Sequence, residues 1–309
     1  MSDQAMFYSM FSLIAFAGAA ATLPLWRAGC RGSGLVDEPG HRKIHGEPTP
    51  LAGGLAVLSG FLAVLAVVFL NPKAGHPPPE VVLRFQGLLF GAIAMTLLGM
   101  TDDKWELGAG GKLFGQLLIA IGAALAGLRF GWLPPGWDHV LAVGWILAVT
   151  NAVNFMDNMN GLCAGLAVIA AGFAGLLVAD APDPFAAVLC FATAGAALGF
   201  LPYNFPRASA FLGDSGSHLL GFLLAVLPLH AQFGALPMTE CLAPLVVLAV
   251  PLLDLVCVVV LRWRLGRPFY VGDTNHLSHR LERRGFSRRT AVLLIWAASA
   301  VAGGLALLL

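Results

Sequence analysis

Apolar runs of close to twenty residues recur from one end of the chain to the other, and charged residues, prolines and glycines gather between them. A helical run of that length matches the hydrocarbon thickness of a bilayer. Ten such runs are visible, at roughly 6–26, 51–70, 82–100, 113–130, 139–156, 162–179, 185–202, 218–234, 241–261 and 290–309. A backbone inside lipid must satisfy its own hydrogen bonds, so it spans as helices or as a closed barrel. The short alternating segments of a barrel are not seen. The pattern predicts an all-α polytopic membrane bundle of about ten transmembrane helices, as a single integral membrane domain over residues 1–309. The first run follows an acidic residue and has neither a basic leader region nor a clear cleavage site, so it is expected to be a retained span.

Composition agrees. Of 309 residues, 58% are hydrophobic and 11% charged, against roughly a quarter charged in ordinary soluble domains. The five cysteines are scattered, without metal or disulfide spacing. Net charge is +1, and no nucleic-acid partner is expected. The distribution of that charge is more informative. Alternating connections place segments 27–50, 101–112, 157–161, 203–217 and 262–289 on one side, and they hold 15 of the 18 lysines and arginines. By the positive-inside rule these segments are cytoplasmic, in a plasma (inner) membrane protein whose two termini face the other side. Acids contribute little to topology, yet they gather on the same side, which points to an active site on the cytoplasmic face.

The cytoplasmic segments carry the candidate chemistry. Asp102 and Asp103 stand directly after the third run, where adjacent carboxylates demand water, a cation or basic partners. Lys112 opens the fourth run; it either snorkels to the interface or meets a phosphate near the two acids. Asn151, Asn154 and Asn158 share a face if their helix continues, with Asp157 and Asn160 close by. Their oxygens suit a hard cation or a nucleobase edge, or else serve as hydrogen-bond glue between helices. Phe211-Leu-Gly-Asp214-Ser215-Gly-Ser217 reads as an anion- or metal-binding turn opening a helix, with a serine N-cap as the plainer reading. Arg42, Lys43 and His45 suit phosphates or phospholipid headgroups, or else form a basic loop that only sets topology, and Gly53-Gly54 permits close backbone approach. His276 and His279, followed by Arg280, are spaced to share a helical face and grip phosphate, with metal ligation as the lesser reading. Asp254, inside the ninth run, is expected to be a structural contact.

Taken in order, Arg-Lys-x-His…Pro-Thr-Pro…Gly-Gly, Asp-Asp, Asn-x-x-Asn-x-x-Asp, Phe-x-Gly-Asp-x-Gly-Ser, Pro-x-x-Asp and His-x-x-His resemble the polyprenyl-phosphate N-acetylhexosamine-1-phosphate transferases, over residues 36 to 286. The resemblance implies a magnesium-dependent enzyme, with Mn²⁺ as an alternative ion. Its partners would be a UDP-N-acetylhexosamine, undecaprenyl phosphate and the lipid bilayer; a homodimer is left open. It implies that Asp214 and Asn154 hold the metal and that Asp102, Asp103 and Lys112 are catalytic. Phe211 would stack on uracil, Asp157 and Asn160 would face the donor, and His276, His279 and Arg280 would hold its phosphates, with Lys43 and His45 also binding substrate.

Two stretches depart from the family pattern. Asn158-Met-Asn160 stands where Gly-x-Asp is usual, and Ser278 replaces the middle imidazole of His-x-His-His. The short histidine run resembles the UDP-GlcNAc:undecaprenyl-phosphate branch more than the phospho-N-acetylmuramoyl-pentapeptide transferases. A transporter or an inactive homologue is the alternative from a different class.

Overall fold

The apolar runs fold into helices. A computed structural model describes residues 3–39, 47–70, 79–181, 184–231, 242–268 and 274–309. Among these are α1 (Asp3–Ser33), α2 (Gly53–Phe69), α3 (Pro79–Trp105), α4 (Ala109–Leu125), α5 (Pro135–Phe155) and α6 (Leu162–Leu177). They continue with α7 (Pro184–Phe200), α8 (Gly213–His230), α9 (Ala243–Val247), α10 (Ala249–Arg264), α11 (Leu277–Arg283) and α12 (Arg288–Ala306). A two-residue antiparallel ladder, β1 (Val36–Asp37) with β2 (Thr49–Pro50), ties the start of the first connection to its end. The ninth run is broken at Leu248, between α9 and α10.

Four helices among the described residues are long and apolar enough to cross a membrane: Asp3–Ser33, Pro79–Trp105, Pro184–Tyr203 and Arg288–Ala306. Gly53–Phe69, Ala109–Leu125 and Leu162–Leu177 are shorter apolar helices. Large apolar side chains stand on the outside: Leu25 is 73% exposed, Leu125 67% and Phe90 66%. Water would penalise such a surface, whereas lipid tails accommodate it. The chain is an all-α membrane protein.

At the centre lies α8, which packs on α2, α3, α5, α6 and α7. Every residue of α8 except Asp214 is buried, as expected for a helix apolar on all sides. The only outward-facing carboxylate of this helix is therefore at its first turn.

Several boundaries differ from the sequence pattern, and each matters for the site. Helix α3 continues through Trp105, so Asp102 and Asp103 form part of its last turns; Glu106, at φ 47°, then ends it. Helix α5 stops at Phe155, which places Asn158 in the following turn and not on a face shared with Asn151 and Asn154. His276 is the N-cap of α11, with extended backbone, so the two histidines do not share a helical face.

The site end of α8 is pressed between two helices with no room for side chains. A Cβ on Gly54 would lie 2.5 Å from Gly216 N, and one on Gly99 would lie 2.3 Å from Asp214 O and Ser215 N. Gly99→Ala is expected to cost about 1–3 kcal/mol through overpacking against backbone that cannot yield. The thermal unfolding midpoint in detergent should fall clearly; an unchanged midpoint would disprove this close approach.

Candidate active site

The site is assembled around the buried beginning of α8. The first N–H groups of a helix have no partners within it, and here the surrounding helices keep water away. Asp103 supplies the acceptors from α3: Asp214 N donates to its Oδ1 at 2.7 Å and Ser215 N to its Oδ2 at 3.1 Å. The negative charge also lies at the favourable end of the helix dipole. The cap is thus an acid from another helix, and neither Ser215 nor Ser217 performs that role. Backbone bonds complete the seat, with Phe211 N donating to Pro50 O at 2.9 Å, Gly53 N to Phe211 O at 3.0 Å and Gly54 N to Leu212 O at 3.1 Å.

With Asp103 committed to α8, its neighbour Asp102 points elsewhere. Successive helical residues project about 100° apart, and Asp102 meets Lys112 in a short ion pair. Lys112 Nζ also donates to Asp214 Oδ2 at 2.6 Å. Lys112 lies in the first turn of α4, where the helix dipole disfavours a cation; two carboxylates outweigh it. Asp214 Oδ1 accepts from Asn154 Nδ2 at 2.8 Å, and the same amide donates to Ser217 Oγ at 2.8 Å. Four helices, α3, α4, α5 and α8, thereby converge on one ammonium and two carboxylates.

Asp157 sits in the α5–α6 turn, near this cluster, where its backbone N donates to Asn154 O at 3.0 Å. Burial, followed by the charges of Asp214 and Asp103, pushes its carboxyl up to about 8. Asn160 is exposed at the far end of the turn, and Phe211 is half-buried beside the α8 seat. On the other flank, Asp254 of α10 accepts from His276 Nδ1 at 2.8 Å and from Leu277 N at 2.6 Å. This fixes the tautomer and leaves His276 Nε2 for another partner. Phe155 packs edge-on to His276 with centroids 5.1 Å apart, and His279 pairs with Glu282 at 3.3 Å. Arg280 is half-buried on α11. Lys43 and His45 lie outside the described residues.

Residues 85–232, which hold the acid–lysine–amide cluster, match the family described as Glycosyl transferase family 4. The chain is 31% identical to a probable undecaprenyl-phosphate N-acetylglucosaminyl 1-phosphate transferase of Bacillus subtilis (strain 168), over 85% of this chain and 74% of that one. It is 35% identical to the decaprenyl-phosphate N-acetylglucosaminephosphotransferase of Mycobacterium tuberculosis (strain ATCC 25618 / H37Rv), over 85% and 72%. The chain belongs to glycosyl transferase family 4. An Escherichia coli (strain K12) member, the undecaprenyl-phosphate alpha-N-acetylglucosaminyl 1-phosphate transferase, is 28% identical over 89% of this chain and 76% of its own.

For a family 4 protein the donor set bears on the metal. Among the described residues no three His, Cys, Asp or Glu side chains form a ready ligand cluster. What this site offers is hard oxygen: carboxylates of Asp102 and Asp214, and the Oδ1 of Asn154, whose Nδ2 is already engaged. One or two carboxylates, completed by water and substrate phosphate, is the manner in which Mg²⁺ is commonly bound, so the residues fit that ion. Lys112 stands where positive charge is wanted between the acids.

Some contributors carried no sequence signal. Asn204 accepts from Gly161 N at 2.5 Å and donates to Ala210 O at 3.0 Å, joining the α5–α6 turn to the loop before α8. Gln116 accepts from Asn151 Nδ2 at 2.7 Å, so Asn151 is interhelical glue. Neither stands in a recognisable spacing.

The geometry divides the acid pair. Asp103→Ala removes a cap and should cost about 0.5–2 kcal/mol, while Asp102→Ala leaves Lys112 paired with Asp214 and should be milder. Thermal unfolding of both variants checks the order; equal losses would contradict the division. A second expectation concerns pH in the presence of chelator. The folded pKa of Asp157 lies above its unfolded value, so native protein holds the proton longer, and stability falls as pH rises from about 4 toward 8. Asp157→Asn should therefore flatten the decline of the unfolding midpoint between pH 5 and 9.

Proposed function

We propose that this chain transfers N-acetylglucosamine 1-phosphate from UDP-GlcNAc to undecaprenyl phosphate, releasing UMP and beginning a cell-surface glycan. The observation that carries the reading is Lys112 shared between Asp102 and Asp214 beside the amide of Asn154. The curated names of the relatives point to a GlcNAc-phosphate donor and a polyprenyl-phosphate acceptor, and not to a muramoyl-pentapeptide donor.

In the reaction an oxygen of the lipid phosphate bonds to the sugar-linked phosphorus of the donor. The bond from that phosphorus to the bridging oxygen breaks, and its electron pair leaves with UMP. A phosphate monoester has a second pKa near 6, so the nucleophile is already largely dianionic at neutral pH and no strong base is required. The task of the protein is to bring two anions together and to offset their charge. Lys112 gives its ammonium to the phosphates, Asp102 holds Lys112 in place, and Asp103 positions Asp214 through the α8 backbone. His276, oriented by Asp254, presents Nε2 to the donor phosphates, with His279 and Arg280 beside it. Asp157, Asn160 and Phe211 face the nucleoside end, and Lys43 and His45 are assigned to phosphate binding from the sequence alone. Mg²⁺, or Mn²⁺, held by Asp214 and Asn154 would neutralise charge on the donor's diphosphate.

The same reading sets the topology: ten spans in the plasma membrane, the basic connections cytoplasmic and both termini outside. A transporter would carry its polar groups near the midplane, whereas this cluster lies at the matching ends of α3, α4, α5 and α8.

Purified protein with Mg²⁺, undecaprenyl phosphate and UDP-GlcNAc should release UMP. Chelator should stop it, and Asp214→Ala should lower it by about a hundredfold or more. UDP-MurNAc-pentapeptide, assayed in parallel, should give none. UMP from that donor alone would move the chain to the other branch, and none from either would overturn the enzyme reading.

A further inference from the structure

Two of the three positions that depart from the family pattern, Asn158 and Ser278, touch each other. Ser278 Oγ donates to Asn158 Oδ1 at 2.5 Å, across 120 residues of sequence. The orientation of the Asn158 amide is set independently, since its Nδ2 donates to Phe155 O, the last residue of α5, at 2.6 Å. A carbonyl accepts only from the NH₂ end, so the amide oxygen must face Ser278. Ser278 is 1% exposed, so the bond is shielded from solvent.

This bond completes a set of three. His276 and Leu277 are held by Asp254 from α10, and Ser278, the next residue, is held by the α5–α6 turn. Phe155 packs on His276 and is also the residue whose carbonyl orients Asn158. The contact therefore fixes the separation between the turn bearing Asp157 and the segment bearing His276 and His279. The far end of α11 is held separately, by the ion pair of Glu282 with Arg288 of α12 at 2.8 Å.

We propose that Asn158 and Ser278 form a coupled positioning pair that ties the histidine segment to the α5–α6 turn and sets donor affinity. The inference rests on the transferase reading for its kinetic readout, and its geometry can be tested apart from it.

The experiment is a double-mutant cycle of Asn158→Ala, Ser278→Ala and both, with Ser278→Thr as the variant that keeps the hydroxyl. KM for UDP-GlcNAc, KM for undecaprenyl phosphate, kcat and the thermal midpoint are measured for each. Each single variant should raise the donor KM about tenfold, as loss of one partner of a buried hydrogen bond does. The acceptor KM should stay unchanged, and Ser278→Thr should retain the parent donor KM. The double variant should be no worse than the worse single, because the pair acts as a unit. Losses that multiply, or singles with the parent donor KM, would overturn the pair. Should the parent release no UMP from any donor, the transferase reading fails and the cycle is read on thermal midpoints alone. Non-additive midpoints then support the pair, and additive ones overturn it.

Discussion

The structure depends on a buried helix beginning that an acid from another helix satisfies. Helix α8 is packed by other helices, which limit the water available to the amides of Asp214 and Ser215 at its start. The Asp103 carboxylate replaces that water, and in doing so it fixes the height and rotation of α3 against α8. A buried N–H left without a partner costs free energy comparable to a lost hydrogen bond, which explains why the close approach at Gly99 is tolerated and enforced. Asp214 is then presented at a defined place instead of at a frayed helix end.

The rest of the cluster follows from that arrangement. Because Asp103 faces α8, Asp102 projects to the side where α4 begins, and Lys112 bridges from there to Asp214. The lysine sits at a helix N-terminus, against the dipole, and the carboxylates hold it there. Asn154 and Ser217 close the far side of Asp214. Each side chain is held by a neighbour, so the cluster is fixed by the protein alone. At the histidine segment the same logic recurs, with Asp254 and Asn158 holding its first residues.

Much of this was legible in the chain because lipid is an unforgiving solvent. Helices of about twenty apolar residues had to appear as continuous runs, and polar residues at one set of run ends could not be incidental. Asp102, Asp103, Lys112, Asn154 and Asp214 stood out for that reason, and the structure brings these five together. Other features left no mark. Asn204 and Gln116 act through partners dozens of residues away, and such long-range pairing has no periodicity to detect. Asn158 looked like the third member of an asparagine face, but α5 ends before reaching it.

The sequence by itself determined the helical membrane architecture and the gathering of anion- and cation-binding groups at one end of it, since both follow from local composition against a bilayer. It also carried the family resemblance through six ordered motifs. Only the tertiary structure decided how those groups divide their work. That Asp103 serves the backbone while Asp102 serves Lys112, or that Ser278 answers Asn158, depends on helix rotation and on which turn lies opposite. Those are set by packing between distant segments, and a one-dimensional pattern contains no record of them.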